Sequence, residues 1–304
     1  MDPISLQKAP TQTLLGTFFF WKNFLLAIAL GASVASTDFD TSTDLFFARV
    51  YPPGTHIPSL ATSLTRWDAL YFMHASLVGK VYEQEWAFGY GLSTSVALLR
   101  RGLEWTGVDV DGIAFEPLAA IFIAHASHLV AVLALYQLTL LLFGNRKLAL
   151  LSGMLHVISP AGLFLSAPYA ESPFAALSFV GNWLFALGLN RAKSQAERTL
   201  YIVAAGISFG LSTTFRSNGL FSGLLFAVEA VKGTKAVVLQ PTLRNIFALT
   251  GSLLGGSFIA LGTLVPQAVA WLRYCNVEDK GVVLPPWCSY TVPSIYTYVQ
   301  RVYW

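Results

Sequence analysis

The chain has 304 residues, enough for two soluble domains at about 150 residues each, but only 12 % of them are charged and 55 % are hydrophobic, against roughly 25 % charged in ordinary soluble domains. With a mean hydropathy of +0.58, a water-soluble surface cannot be built from so few charges. Nineteen Lys and Arg against sixteen Asp and Glu leave a net +3, too weak and scattered for the cationic stripe that a phosphate backbone requires, which argues against nucleic acid as a partner.

Apolar runs of about 20 residues recur along the chain, and each is long enough to cross a hydrocarbon core of about 30 Å as a helix. The expected class is an all-α polytopic membrane protein forming one transmembrane domain over residues 1–304. The first run, 14–36, ends in small residues that resemble a signal-peptide cleavage site, but it exceeds the usual apolar length and Lys22 interrupts it, so a retained helix is expected. A long, mostly polar segment follows over 37–116, rich in Pro, Thr, Trp and Tyr. Within it an amphipathic piece, 86–101, is too short to span and reads as an interfacial helix. Further spans are expected at 117–143, 148–165, 169–189, 200–215, 220–231 and 245–271, giving seven in all.

Lys and Arg concentrate in three short connections: Arg146 and Lys147; Arg191, Lys193 and Arg198; and Lys232, Lys235 and Arg244. With seven spans all three lie on one side, which the positive-inside rule assigns to the cytosol. That parity requires a hairpin broken near Arg216. Reading 200–231 as one bent helix instead would put the third cluster on the other side. The hairpin reading places 37–116 and the C-terminal segment 273–304 opposite the cytosol. Cys275 and Cys288, too few for a disulfide scaffold, would then face an oxidising compartment, where a bridge across about 13 residues contributes a few kcal/mol. No Asn-x-Ser/Thr acceptor, zinc-type ligand spacing or nucleotide-binding glycine pattern is present.

Three polar constellations stand out. In Arg66-Trp67-Asp68-Ala69-Leu70-Tyr71-Phe72 a carboxylate flanked by an arginine and aromatics is suited to taking a proton while rings grip a polar ligand. The alternative is an interfacial aromatic belt with Asp68 as a helix cap. Glu83 and Glu85 follow in a loop. In the block from Ser159-Pro160 to Tyr169-Ala170-Glu171-Ser172 prolines break helix and free backbone groups, so Glu171 either meets a ligand or sits at a helix N-terminus. Arg216, in Phe215-Arg216-Ser217-Asn218-Gly219, is costly so deep in an apolar run unless paired or wet. Its companion is a lipid-linked phosphate or a carboxylate such as Glu171. His125, His128 and His156 lie in apolar runs without a carboxylate ligand and read as core or cavity-lining residues rather than a metal site, and Asp109-Val110-Asp111 reads as a turn.

Together these blocks resemble the GPI mannosyltransferase 2 family. The matching elements are Arg66-Trp67-Asp68, Tyr82-Glu83 with Ala87-Phe88, Ser159-Pro160 with Tyr169 and Glu171-Ser172, Arg216-Ser217-Asn218-Gly219, and Pro286-Trp287-Cys288 with Ile295-Tyr296, Tyr298-Val299-Gln300 and Tyr303-Trp304. They occur in the family's order over 66–304. The resemblance implies a GT-C architecture in the endoplasmic-reticulum membrane. It also implies an inverting, α-1,6-forming transfer of mannose from dolichyl-phosphate mannose to the first mannose of a GPI precursor. Asp68 takes the place of the catalytic carboxylate in the first lumenal loop, with no metal or other cofactor. Arg66, Trp67, Glu83, Tyr169, Glu171, Arg216, Asn218 and Trp287 are expected on the substrates, and a small membrane partner subunit is implied. The chain departs from the family in having Gly89-Tyr90-Gly91 where Phe-Pro is expected and Pro285 where Arg is usual. Relatives also continue past the position of Trp304, which implies a shortened form. A catalytically inactive membrane subunit and a small-solute transporter are the competing readings. No internal repeat of the transporter kind is visible.

Overall fold

The computed structural model describes residues 10–35, 40–276 and 283–303, and no named strand occurs among them. Among the described residues four helices are long and apolar enough to cross a membrane: α1 (Pro10–Ala35), α6 (Phe115–Phe143), α8 (Glu171–Asn190) and α11 (Leu243–Tyr274). Large apolar side chains on them, among them Phe20, Phe122, Phe247 and Leu264, remain exposed. Such a surface is tolerable only against lipid. The chain is an all-α polytopic membrane protein.

Between the long helices lie α7 (Arg146–Val157), α9 (Gln195–Phe215) and α10 (Gly223–Leu239). The α1, α6 and α7 group closes on Leu14, Phe18, Val132, Tyr136 and Val157. A second core of Phe185, Ile202, Phe209, Phe226 and Ile259 joins α8, α9, α10 and α11. Helices α9 and α11 cross with almost no space between their backbones. A Cβ on Gly206 would lie 2.3 Å from the Gly255 Cα, and one on Gly262 would lie 2.2 Å from the Gly210 carbonyl oxygen. Small residues permit this approach, and close van der Waals packing holds helices together where lipid supplies no hydrophobic drive.

The short turns after α6, α8 and α10 carry the cation-rich connections to one end of the bundle. The other end carries a cap built from residues 40–114, together with the turns 158–170 and 216–222 and the C-terminal segment. Contacts across this end tie these pieces together: Tyr169 Oη donates to the Arg66 carbonyl at 2.9 Å, and Trp287 Nε1 donates to Glu83 at 2.9 Å.

Several boundaries differ from those read off the sequence. Residues 148–165 are not one span: α7 stops at Val157, and a 3₁₀ turn at Gly162–Ser166 follows Pro160. Proline cannot donate the helical hydrogen bond and pushes the preceding residue out of the α region. The polar segment 37–116 is largely helical, with α2 (Ser42–Val50), α3 (Ser59–Leu64), α4 (Ala69–Val78) and α5 (Gly91–Trp105). The expected interfacial helix at 86–101 is therefore split: Glu83–Ala87 is a 3₁₀ turn, and the α-helix begins only at Gly91. Chain reversal at Arg216 is made by a 3₁₀ turn, Ser217–Ser222, and α10 then continues beyond 231 to Leu239. Helix α9 starts at Gln195 rather than 200 because the Ser194 hydroxyl caps it by accepting from the Glu197 N–H. Ser36, the end of the expected first span, and residues 37–39, 277–282 and 304 lie outside the described residues.

Candidate active site

The turn before α4 is clamped from two directions. Thr43 Oγ1 donates to the Thr65 carbonyl at 2.7 Å, and Tyr169 Oη holds the next carbonyl, that of Arg66. The chain then passes through a left-handed residue, Trp67 at φ 49°, before α4 begins. This conformation is unfavourable for a bulky side chain and persists only where its surroundings enforce it. Its outcome is that Asp68 leads α4 without capping it. Among the described residues the Asp68 carboxylate has no hydrogen-bond partner, and it lines a cavity of about 400 Å³. Partial burial raises its pKa above the ordinary aspartate value, which makes it a stronger base.

The cavity is walled by six stretches of the chain. Glu171, at the start of α8, is ion-paired with Arg216, at the end of α9, and Asn218 stands beside them. The second oxygen of Glu171, Oε2, is buried without a protein partner. Residues 86–90 form another wall. There Gly89 lies against the end of α9 so closely that a Cβ would be 2.0 Å from the Phe215 carbonyl oxygen. Any side chain at position 89 would push the end of α9 at Thr214 and Phe215 away. Helix α11 contributes Gly262, Thr263, Pro266 and Gln267, and α12 (Ile295–Val302) contributes Tyr296 and Gln300. Tyr169 completes the lining. Burial and the Asp68 charge raise its phenol to about 12, so it remains a hydrogen-bond donor.

Of the residues expected on the substrates, the structure brings Asp68, Tyr169, Glu171, Arg216 and Asn218 to this cavity. Arg66 and Trp67 instead line a neighbouring, more apolar cavity of about 980 Å³ with Ala29, Leu163 and Phe164, and Tyr169 borders both. Glu83 and Trp287 are not on the cavity: the indole, fully buried, donates to the carboxylate, and together they fasten the C-terminal segment to the cap. The same segment is held by a disulfide between Cys275 and Cys288, with a Cα–Cα distance of 5.4 Å. His128 and His156 meet edge to face at 4.9 Å. No group of three His, Cys, Asp or Glu among the described residues is placed to hold a metal ion. Asp111 accepts from Arg100 at 2.7 Å, and its N–H bonds Asp109 in a turn.

Sequence reasoning passed over the group that shapes the 86–90 wall. Lys80, buried, donates to the carbonyls of Glu85 at 2.7 Å and Phe88 at 2.5 Å, while His74 and the Tyr82 N–H bind the Glu85 carboxylate. Burial lowers the Lys80 pKa to about 7, with the Glu85 charge opposing the shift. Thr263 and Gln267 were passed over as well. The one available signal was two polar residues flanking a proline inside an otherwise apolar run.

The amino-acid sequence is matched by known proteins. The model of the family described as Mannosyltransferase (PIG-V) matches residues 18–304. The chain is 52 % identical to the GPI mannosyltransferase 2 of Gibberella zeae over 100 % of its own length and 69 % of that protein's. It is 43 % identical to the protein of the same name from Chaetomium globosum, over 97 % and 69 %. Against the GPI alpha-1,6-mannosyltransferase 2 of Cricetulus griseus identity is 30 %, over 82 % and 52 %. No solved structure matches the chain. The extent of these matches shows that this chain belongs to the mannosyltransferase (PIG-V) family of glycosyltransferases.

Proposed function

We propose that the protein transfers mannose from dolichyl-phosphate mannose to the first mannose of a GPI precursor, forming an α-1,6 linkage with inversion. The reaction would run on the lumenal face of the endoplasmic-reticulum membrane. The observation that carries this reading is the unpartnered Asp68 carboxylate in one cavity with the Arg216 guanidinium. Asp68 accepts the proton of the acceptor hydroxyl while that oxygen attacks C1 of the donor sugar, and the bond from C1 to the phosphate oxygen breaks on the opposite face. The leaving group is already a phosphate and needs no strong acid. Arg216 has further N–H donors beyond the one spent on Glu171, and these suit the charge that grows on the departing phosphate. The apolar cavity beyond Tyr169 suits a prenyl or acyl chain.

Two further points support the orientation. Arg146, Lys147, Arg191, Lys193 and Arg244 cluster at the end of the bundle opposite the cavity, which the positive-inside rule places in the cytosol. The Cys275–Cys288 bridge lies on the cavity's side, in keeping with an oxidising lumen. A small membrane subunit as partner, and the absence of a metal requirement, belong to the same reading.

The test is complementation of cells lacking the second GPI mannose. The chain should restore the two-mannose glycolipid, and Asp68→Asn should leave the one-mannose precursor accumulated. Rescue by both forms would remove Asp68 from its role, and rescue by neither would favour an inactive membrane subunit.

A further inference from the structure

The wall of the cavity formed by α11 carries a buried hydroxyl without a partner; α8 has another at Ser178, but that one is not on the cavity. Many helical hydroxyls of the bundle are spent on their own backbone: Thr139 donates to the Leu135 carbonyl at 2.8 Å, Thr213 to that of Phe209 at 2.8 Å, and on α11 itself Ser252 and Ser257 donate to Ala248 and Leu253 at 3.1 and 2.9 Å. This back-bonding is the ordinary fate of a helical Ser or Thr in an apolar setting. Thr263 does not follow it. Its Oγ1 is buried and has no hydrogen-bond partner, and the residue lines the cavity.

Its neighbours add to this. Pro266 lies within α11 and has no N–H, so the Gly262 carbonyl, one turn earlier and also on the cavity, lacks its helical donor. Gln267 uses its amide oxygen to accept from Ser294 Oγ at 3.2 Å and from the Tyr296 N–H at 3.5 Å. That leaves the NH₂ end as what Gln267 offers the cavity it lines. Less than two turns of helix, Gly262 to Gln267, thus carry a hydroxyl, an amide donor and a carbonyl acceptor. Across the same space lies the unpartnered Glu171 Oε2. Alternating donors and acceptors of this kind match a ring bearing several hydroxyl groups, each of which both gives and takes a hydrogen bond.

We propose that Thr263 and Gln267 recognise hydroxyl groups of the hexose held beside Asp68. This rests on the reading that the cavity holds a sugar. The hexose comes either from the donor or from the acceptor lipid, and the experiment separates the two.

Transfer is measured with two substrate series, one in which single hydroxyls of the donor mannose are replaced by hydrogen and one in which those of the acceptor mannose are. In the unmodified protein the analogue lacking the recognised hydroxyl should lose about tenfold or more in kcat/KM. In Thr263→Val, which keeps shape but loses the hydroxyl, that penalty should fall to within about twofold, and Thr263→Ser should bring it back. Gln267→Met should level the penalty at a different hydroxyl. Thr139→Val, whose hydroxyl is spent on its own helix, should leave every penalty in place. Levelling in the donor or in the acceptor series identifies which sugar occupies the wall, and either supports the proposal. If Thr263→Val and Gln267→Met keep all penalties while mannose transfer continues, the proposal is overturned and the Asp68 mechanism stands. If the unmodified protein transfers no mannose, the function proposed above fails. The same cycle is then read as binding of each sugar lipid, followed by quenching of tryptophan emission, with Trp86 on the cavity wall. Equal loss of binding for every analogue in both variants and parent would overturn it there.

Discussion

Glu116, at the start of α6, is 1 % exposed, accepts from Arg100 Nε at 2.6 Å and from the Tyr51 hydroxyl at 2.7 Å, and so has both oxygens spent on protein. Asp68, at the start of α4 on the same end of the molecule, has neither kind of partner and lines the cavity. The two carboxylates show how one cap serves two purposes. Around Glu116 a cation and a phenol from separate helices are drawn onto one charge, and Arg100 also reaches Asp111 and Glu104. Such a knot fixes where helices sit. Around Asp68 the fixing is done by neighbours instead, through the clamped carbonyls of Thr65 and Arg66, so the carboxylate is held in place while its oxygens remain available.

The sharpest way to break this comparison is to alter each carboxylate in turn. Asp68→Asn preserves size and removes basicity. It should lower mannose transfer by about 10²–10⁴-fold, the usual worth of a positioned general base, with no loss of thermal stability. Transfer assayed in membranes with a labelled donor, alongside a melting curve in detergent, checks both halves. Retention of more than about a tenth of the activity would mean that Asp68 is not the base. Glu116→Ala should do the reverse. It leaves Arg100 and Tyr51 short of a buried acceptor and should cost about 3 kcal/mol of stability, with turnover per folded molecule within about threefold of the parent. A large loss of turnover at full stability would make Glu116 part of the chemistry.

Arg216→Lys sharpens the comparison from the opposite wall. The ammonium keeps a charge next to Glu171 but cannot grip a carboxylate and a phosphate at once through a planar fork. Transfer should fall about tenfold, expressed in kcat more than in KM, because the charge it meets grows only as the phosphate leaves. Unchanged kcat would show that Arg216 serves only to hold Glu171.

Much of this organisation is written locally and some of it is not. Membrane class follows from composition, because apolar surface on α1, α6, α8 and α11 far exceeds what water tolerates. The family blocks mark Asp68, Tyr169, Glu171, Arg216 and Asn218, all of which line one cavity. The cap escapes such reading because α2, α3 and α4 have only 9, 6 and 10 residues, too short for a hydrophobic period to stand out. The bond between Glu83 and Trp287 joins positions 204 apart in the chain, and no local pattern announces it. Lys80 carries no local mark, since only the fold reveals that two carbonyls and the rings of Trp86 and Tyr90 enclose it. Thr263 lies in a long apolar run of which only Gly262, Pro266 and Gln267 join it on the cavity, so its place there is a matter of which way α11 is turned.

The smallest expected effect is a pH shift, and it follows from the same contrast. Partial desolvation without a partner raises the Asp68 pKa in the folded protein, whereas in the unfolded chain it should stay near the ordinary value of about 3.9. The fold therefore favours the protonated acid. Any stabilisation linked to Asp68 is present at low pH and is lost as pH rises through the folded-state value. Catalysis needs the ionised base and runs the other way, increasing through that same value. The rate should therefore show an acid limb whose midpoint lies above about 3.9. Tyr169, titrating at about 12, leaves the neutral range undisturbed. Lys80 loses its charge near pH 7, but as a neutral amine it still has two hydrogens for the Glu85 and Phe88 carbonyls, so the 86–90 wall should survive the change. Initial rates across pH 4 to 8 at saturating lipid substrates check this. The residual activity of Asp68→Asn should lack the acid limb, and its melting temperature should no longer fall with rising pH by whatever share Asp68 contributes. An acid limb at the same midpoint in that variant would assign the titration to another group and leave Asp68 as an ordinary surface carboxylate.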